Sequence, residues 1–191
     1  MAMHEIIWHG RGGQGVVLAA QILAEAAYIQ GFPGVTSAPT FGPERRGAPL
    51  TASTRISNEP VRTFSQIASA DISVILDESL LEIATSEGKI KENGLVIVNS
   101  TLTPQQIGPG GNFTVATVDA TGIASEYHLS MSGSPVVNTS LLGALSMASG
   151  LISLENIEKG LKKKMPRNKV SFNFQAIQTA FERTLYVGSK E

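Results

Sequence analysis

Glu5-Ile6-Ile7-Trp8-His9-Gly10-Arg11-Gly12-Gly13-Gln14-Gly15, followed by Val16 to Gln30, is the stretch that decides the fold. Glu5 to Trp8 is a short apolar run ending at His9-Gly10, the pattern of a buried strand. Six residues then carry four glycines, and Val16 to Gln30 reads as a helix stopped by Gly31 and Pro33. Strand, glycine turn and helix in this order open a βαβ unit. The turn lets the backbone approach closely, and the helix N-terminus presents free N–H groups to an anion.

The alternation continues outward. Val35-Thr36-Ser37 reads as a second strand. Pro39 to Pro49 is a loop with three prolines and two glycines. Leu50 to Ile56 and Val61 to Phe64 flank Ser57-Asn58-Glu59-Pro60, which predicts a β-hairpin. Ile72 to Leu76 is a strand and Glu78 to Ser86 a helix; Leu95 to Val98 is a strand. Thr103-Pro104 is an N-cap followed by proline at the first helical position. Gly108 to Asn112 is a turn and Phe113 to Val118 a strand. Thr139 to Ser149 and Leu154 to Lys164 are helices broken at Gly150, and a last helix runs from Val170 to Tyr186. The expectation is one α/β domain over residues 1–191. It is a three-layer α/β/α arrangement with a largely parallel, Rossmann-like sheet and an inserted β-hairpin.

Two helices can be read further. Val170, Phe174, Ile177, Phe181 and Leu185 form one apolar stripe, so the last helix docks on a core by one face. Between Val16 and Ile29 only Gln21 and Glu25 are strongly polar. A helix apolar nearly all round is covered on both sides. Two covers are open: the interior of this domain, or the sheet on one side and another subunit on the other.

Composition narrows the function. The chain has 191 residues, 42% hydrophobic and 16% charged, against about 25% charged in an ordinary domain. Fifteen Lys+Arg against sixteen Asp+Glu leave a net charge of -1, which speaks against nucleic-acid binding driven by overall charge. Cysteine is absent, which excludes a disulfide scaffold, thiolate-held zinc, a Cys-ligated iron–sulfur cluster and a Cys nucleophile on this chain. No apolar run reaches the roughly 18 residues of a membrane span. Met1-Ala2-Met3-His4-Glu5 has neither a basic n-region nor a long apolar h-region, so a cytoplasmic protein without signal peptide is expected.

The chemistry-bearing positions are few. Gly10-x-Gly12-x-x-Gly15 has the context of a dinucleotide fingerprint, but the acid expected about 20 residues on to bind a ribose has no counterpart in Val35-Thr36-Ser37-Ala38. Arg11 and Gln14 suit an anion or a polar partner; a tight turn without ligand is the alternative. Phe41-Gly42-Pro43-Glu44-Arg45-Arg46-Gly47-Ala48-Pro49 is a shaped loop whose paired arginines can clamp phosphate or carboxylate. A solvated loop held by a Glu44–Arg pair is the plainer reading. His9, Asp77, Asn99 and Asp119 sit at the strands' carboxyl ends, where open α/β sheets bind ligands. Each also has a structural reading: Asp77 and Asp119 as caps, His9 as a hydrogen-bonded residue under the loop. Lys159, Lys162, Lys163, Lys164, Arg167 and Lys169 read first as a solvated helix end. There is no Ser/His/Asp triad, Walker A motif or metal-ligand spacing. Catalytic and metal-binding residues are therefore expected to be absent from this chain.

His9-Gly10-Arg11-Gly12-Gly13-Gln14-Gly15 resembles the glycine loop of the gamma subunit of 2-oxoacid:ferredoxin oxidoreductases, the group that includes pyruvate synthase. Phe41 to Gly47 looks like that family's arginine loop. Ile75-Leu76-Asp77-Glu78 and Val118-Asp119-Ala120-Thr121 are similar to its later strand ends, and Asn138 to Leu145 to its penultimate helix motif. The resemblance implies an accessory subunit of an enzyme that decarboxylates a 2-oxoacid, pyruvate first, to acyl-coenzyme A with electrons passed to ferredoxin. It implies alpha, beta and ferredoxin-like delta subunits as partners. The nearly all-apolar Val16–Ile29 helix and the low charged fraction suggest excess apolar surface, through which a homodimer is one expected form of the isolated chain. Thiamine diphosphate and iron–sulfur clusters then sit on other chains, in keeping with zero cysteines. The residues expected to face coenzyme A or a partner are Gly10, Arg11, Gly12, Gly13, Gln14, Gly15, Arg45 and Arg46. A free-standing nucleotide-binding oxidoreductase and a ligand-free interaction domain are the competing readings. Neither nucleic acid nor membrane is expected as a partner.

Overall fold

Along the first strand Ile6 and Trp8 are fully buried while Glu5, Ile7 and His9, which alternate with them, are partly open, so this strand lies inside a sheet with unequal cover on its two faces. The computed structural model describes residues 3–39, 46–63, 65–86, 88–108 and 113–187. In chain order these form β1 Met3–Arg11, α1 Val16–Gln30, β2 Gly34–Pro39, β3 Pro49–Ser57, β4 Ala70–Ile75, a 3-10 turn Glu78–Leu80 and α2 Leu81–Ala84. Then follow β5 Ile90–Asn99, α3 Pro104–Ile107, β6 Phe113–Val118, α4 Ala120–Glu126, the short β7 Ser130–Met131 and β8 Ser134–Pro135, α5 Ser140–Ser149, α6 Leu154–Lys164, α7 Arg167–Arg183 and β9 Leu185–Val187.

The main sheet has the order β2-β3-β1-β4-β5-β6-β9. Its centre, β1-β4-β5-β6, is parallel. The flanks are antiparallel: β3 to both β1 and β2, and β9 to β6. The expected α/β architecture is present, with helices on both faces. The larger core lies between the sheet and α1 and α5, with α6 packed on α1 and α7 on α5. The opposite face carries a smaller core of Ile75, Leu80, Ala84, Val96, Val98 and Val115 under α2 and α3.

The inserted hairpin differs from the expected one. Leu50 to Ile56 does form a strand, but Val61 to Thr63 is not a strand, and Phe64 lies outside the described residues. β3 pairs instead with β2 on one edge and β1 on the other. With both edges taken, no partner position is left for residues 61–63. After Ser57 the chain folds over the start of β2, so closely that a Cβ on Gly34 would lie 1.8 Å from the Glu59 carbonyl oxygen.

Other differences are local. The helix expected over Glu78 to Ser86 is only a 3-10 turn and one α-turn. The last helix ends at Arg183, and Leu185–Val187 peels away to pair with β6, so Leu185 leaves the apolar stripe and is exposed. α4 and the β7–β8 hairpin were not anticipated. The turn of that hairpin places Ser132 and Gly133 both at positive φ, the geometry that matches strand twist in a two-residue hairpin. The apolar α1 is covered within the chain, by β1, β2 and β3 on one side and α6 on the other. Gly160 makes this close: a Cβ there would stand 2.9 Å from the Ile22 carbonyl oxygen. A second subunit is therefore not needed to cover α1; Gln21, Tyr28 and Gln30 are its exposed residues. Among the described residues no helix is long and apolar enough to cross a membrane.

Candidate functional site

Gly10 ends the buried part of β1 at a point where side chains cannot fit. A Cβ there would stand 2.5 Å from Val16 Cγ2 and 3.3 Å from Leu76 Cβ, so glycine is what allows α1 to start directly above the strand. Gly13 and Gly15 have φ of 96° and 76°, the left-handed region that favours glycine. Gly15 is the N-cap of α1, and no side chain caps that end. Asn138 supports it from below, its amide donating to the Gly15 carbonyl at 3.0 Å.

The loop is tied to the segment before β3. Gly12 N–H donates to the Ala48 carbonyl at 2.9 Å, and Gly47 N–H donates to the Gly12 carbonyl at 3.1 Å. Gln14 folds inward, its Oε1 accepting from the Arg11 amide at 2.7 Å. Arg11 reaches across to the end of β4, where Nε meets Asp77 Oδ2 at 2.9 Å and Nη2 donates to the Ser79 hydroxyl at 2.8 Å. Burial raises the Asp77 pKa, but hydrogen bonds from the Ser79 hydroxyl and amide and from Arg11 outweigh it and hold the carboxyl below its ordinary value.

These pieces wall a cleft of about 980 Å³ at the carboxyl edge of the sheet. Arg11 through Leu18 form one side, Arg46, Gly47 and Leu50 a second, Leu76, Asn99 and Thr121 the floor, and the β7–β8 hairpin from Met131 to Val137 the far rim. Its walls are amides, glycine Cα atoms and hydroxyls around apolar patches. Such a surface can hold an elongated polar molecule or a partner's loop; among the described residues that line it there is no His, Asp or Glu to act as acid, base or nucleophile. Among the described residues no three His, Asp or Glu stand together to hold a metal. A second hollow of about 400 Å³, lined by Leu129, Met165 and the exposed Phe172, adjoins the cleft through Gly15, Leu18, Met131 and Val136.

The structure thus brings Gly10, Arg11, Gly12, Gly13, Gln14 and Gly15 to one place and sets Arg46 beside them through a bridge between Gly12 and Arg46. Arg45, with residues 40–44, lies outside the described residues. The sheet-end residues are mostly structural. Asp77 caps the 3-10 turn. Asp119 caps α4, accepting from Gly122 N–H at 2.7 Å. Asn99 clasps β4 to α4, donating to the Leu76 carbonyl at 3.0 Å while its Oδ1 accepts from the Thr121 amide at 3.2 Å. His9 is not the hydrogen-bonded residue expected: its Nε2 is buried without a partner among the described residues, and burial and the charge of Lys89 push its pKa down to about 4. The basic cluster is largely ion-paired, Lys159 with Glu155, Lys162 with Glu158, and Lys163 and Lys164 with Glu25. Ser79 and the β7–β8 rim escaped sequence reading; Asp77-x-Ser79, a short cap pattern, was the available signal.

Comparison with known proteins places this geometry. The family described as pyruvate ferredoxin/flavodoxin oxidoreductase matches residues 5–183. The pyruvate/ketoisovalerate oxidoreductases common subunit gamma of Thermococcus litoralis is 43% identical over 189 residues, covering 96% of this chain and 98% of that protein. Pyruvate synthase subunit PorC of Methanothermobacter marburgensis is 41% identical over 188 residues, covering 97% of this chain and 100% of that protein. The crystal structure of pyruvate oxidoreductase subunit PORC from Thermotoga maritima superposes with a TM-score of 0.82 over 100% of both chains at 33% identity.

Proposed function

The chain belongs to the pyruvate ferredoxin/flavodoxin oxidoreductase family, and from that premise we propose that it is the gamma subunit of a multi-subunit 2-oxoacid:ferredoxin oxidoreductase. The enzyme oxidatively decarboxylates a 2-oxoacid, pyruvate first, to acyl-coenzyme A and passes the electrons to ferredoxin. The observation that carries this reading is the likeness along nearly the whole of both chains to gamma-type subunits. A dinucleotide enzyme is disfavoured because β2 ends in Thr36-Ser37-Ala38-Pro39, with no carboxylate to hold a ribose.

In this reading alpha, beta and ferredoxin-like delta subunits are the partners, and the place of work is the cytoplasm. Thiamine diphosphate, bound on partner subunits, supplies the chemistry that decarboxylates the 2-oxoacid. Without cysteine this chain has no thiolate for an iron–sulfur cluster, so the clusters belong to other subunits as well. The cleft's own chemistry fits the phosphate-bearing coenzyme A. The uncapped start of α1 leaves backbone N–H groups for an anion, and Arg46 lines the same wall. Gly12, Gly13 and Gly15 keep that wall low enough for a close approach, Gly10 lets α1 start directly above β1, and Gln14 holds the loop's shape. Arg45, its neighbour in the sequence, is the second arginine of this proposal. This subunit positions and shields; it moves no proton. A relative named as common to pyruvate and ketoisovalerate oxidoreductases supports placing the choice of 2-oxoacid on other subunits.

The test is reconstitution. Co-expression with candidate thiamine-binding and ferredoxin-like subunits should yield one complex whose coenzyme A-dependent 2-oxoacid oxidation disappears when this chain is left out. Turnover by the isolated chain, or undiminished turnover without it, would overturn the proposal.

A further inference from the structure

Each nitrogen of the Arg11 guanidinium donates one hydrogen bond inside the chain. Nε donates to Asp77 Oδ2 at 2.9 Å, Nη2 to the Ser79 hydroxyl at 2.8 Å, and Nη1 to the Gly47 carbonyl at 3.1 Å. Asp77 is itself fixed, since its Oδ1 accepts from the Ser79 amide at 3.1 Å. The head group is therefore anchored at the end of β4, and a third donor, on Nη1, grips residue 47 across the loop. Only a forked, planar cation holds three such acceptors at once.

Gly47 is the residue after Arg46. The segment 46–48 is held to the glycine loop by the reciprocal bonds of Gly12 with Ala48 and Gly47, and by Arg11. Arg46 passes close over the loop: a Cβ on Gly13 would lie 4.0 Å from Arg46 Cγ. Its guanidinium enters no ion pair among the described residues, while Arg11 is consumed by Asp77. Two arginines at one cleft thus differ in kind. One is tied as a fastener, and the other, in no ion pair among the described residues, lines the cleft.

We propose that Arg11 is a positioning residue that makes no contact with the coenzyme: it latches the 46–48 segment to the glycine loop and so sets the direction in which Arg46 enters the cleft. This rests on the reading of the cleft as the coenzyme A-facing surface, and it reassigns Arg11 from binder to support.

The test uses the assembled enzyme with Arg11→Ala, Arg11→Lys, Arg46→Ala and the double Ala variant, together with hydrogen exchange of the full-length chain. Arg46→Ala should raise KM for coenzyme A about tenfold or more, the worth of one charged hydrogen bond. Arg11→Ala should raise the same KM several-fold with kcat nearly constant, and the double variant should be no worse than Arg46→Ala alone. Lys at 11 should not rescue, because an ammonium that meets Asp77 cannot also hold Ser79 and Gly47. In the full-length chain Arg11→Ala should speed exchange of the Gly12 and Gly47 amides while β4, β5 and β6 stay protected. Additive effects in the double variant would show Arg11 touching the ligand and overturn the proposal. So would unchanged exchange at Gly47, or a loss confined to kcat or to assembly. If exchange at Gly47 rises but Arg46→Ala leaves KM unaltered, the latch stands, while the reading of the cleft fails and the positioning role falls with it.

Discussion

Replacing Gly15 by Ala tests the junction on which the cleft depends. Gly15 caps α1 at φ 76°, where an L side chain costs roughly 1–2 kcal/mol. The new methyl also has no room. It would stand 2.4 Å from Asn138 Nδ2 and 2.9 Å from Asn138 Cγ. Asn138 is 1% exposed and cannot swing into solvent. Its amide supports the Gly15 carbonyl at 3.0 Å, and its Oδ1 accepts from the Thr139 amide at 2.9 Å. Displacing it overpacks the core, at roughly 1–3 kcal/mol, and weakens a buried hydrogen bond of roughly 1 kcal/mol. The expected cost is about 3–5 kcal/mol, a large share of the roughly 5–15 kcal/mol that keeps a domain folded. Gly150→Ala is the control. Gly150 has φ 62° and nothing within 4 Å of the added methyl, so it bears the strain of roughly 1–2 kcal/mol alone. At roughly 2–4 °C per kcal/mol for a chain of this size, Gly15→Ala should lower Tm by about 6–20 °C and Gly150→Ala by about 2–8 °C. Urea unfolding of both, with Asn138→Ala and the Gly15→Ala/Asn138→Ala pair, completes the cycle. Truncating Asn138 removes the clash, so the pair should cost less than the sum of its parts. Equal costs at Gly15 and Gly150, or simple additivity with Asn138, would refute the steric argument.

Gly143→Ala should destabilise although alanine favours helix, because the methyl would stand 2.0 Å from the Ile177 carbonyl oxygen and force α5 away from α7; a loss of about 2 kcal/mol or more is expected by calorimetry, and a neutral result would refute it. His9 makes stability depend on pH. Its folded pKa of about 4 lies below the ordinary 6.5, so only the unfolded chain takes up this proton as pH falls from 6.5, and stability declines down to pH 4 and then levels. The span corresponds to roughly 3 kcal/mol at full burial, less for this half-buried ring, and urea midpoints of His9→Gln should lack that part of the slope. Arg46→Ala should leave the melting temperature within the range of about 0.5 kcal/mol typical of surface changes, while weakening coenzyme A affinity or subunit association in the assembled enzyme.

The sequence by itself determined the β1–glycine loop–α1 unit, because each part is specified by neighbours: an apolar run, glycines at positions of positive φ or close approach, and helix stops at Gly31 and Pro33. Ile72 to Leu76, Leu95 to Val98 and Phe113 to Val118 were legible for the same reason, as runs apolar enough to be buried on both faces. The position of the glycine loop in the candidate site followed from that unit. Strand partners did not. β3 lies between β2 and β1 because both offered it an edge, a choice made across the chain that no pattern within residues 50–64 contains. Leu185 fitted a helical stripe by spacing, yet it extends the sheet, because a free edge of β6 was waiting for it. The same holds for α1. Its apolar surface predicts that something covers it, and only tertiary packing decided that α6 of the same chain does. Arg11 shows the limit most clearly. Its charge was visible in sequence, but Asp77, 66 residues away, is what neutralises it. Charge pairing depends on distance in space, and distance in space is set only when the sheet closes.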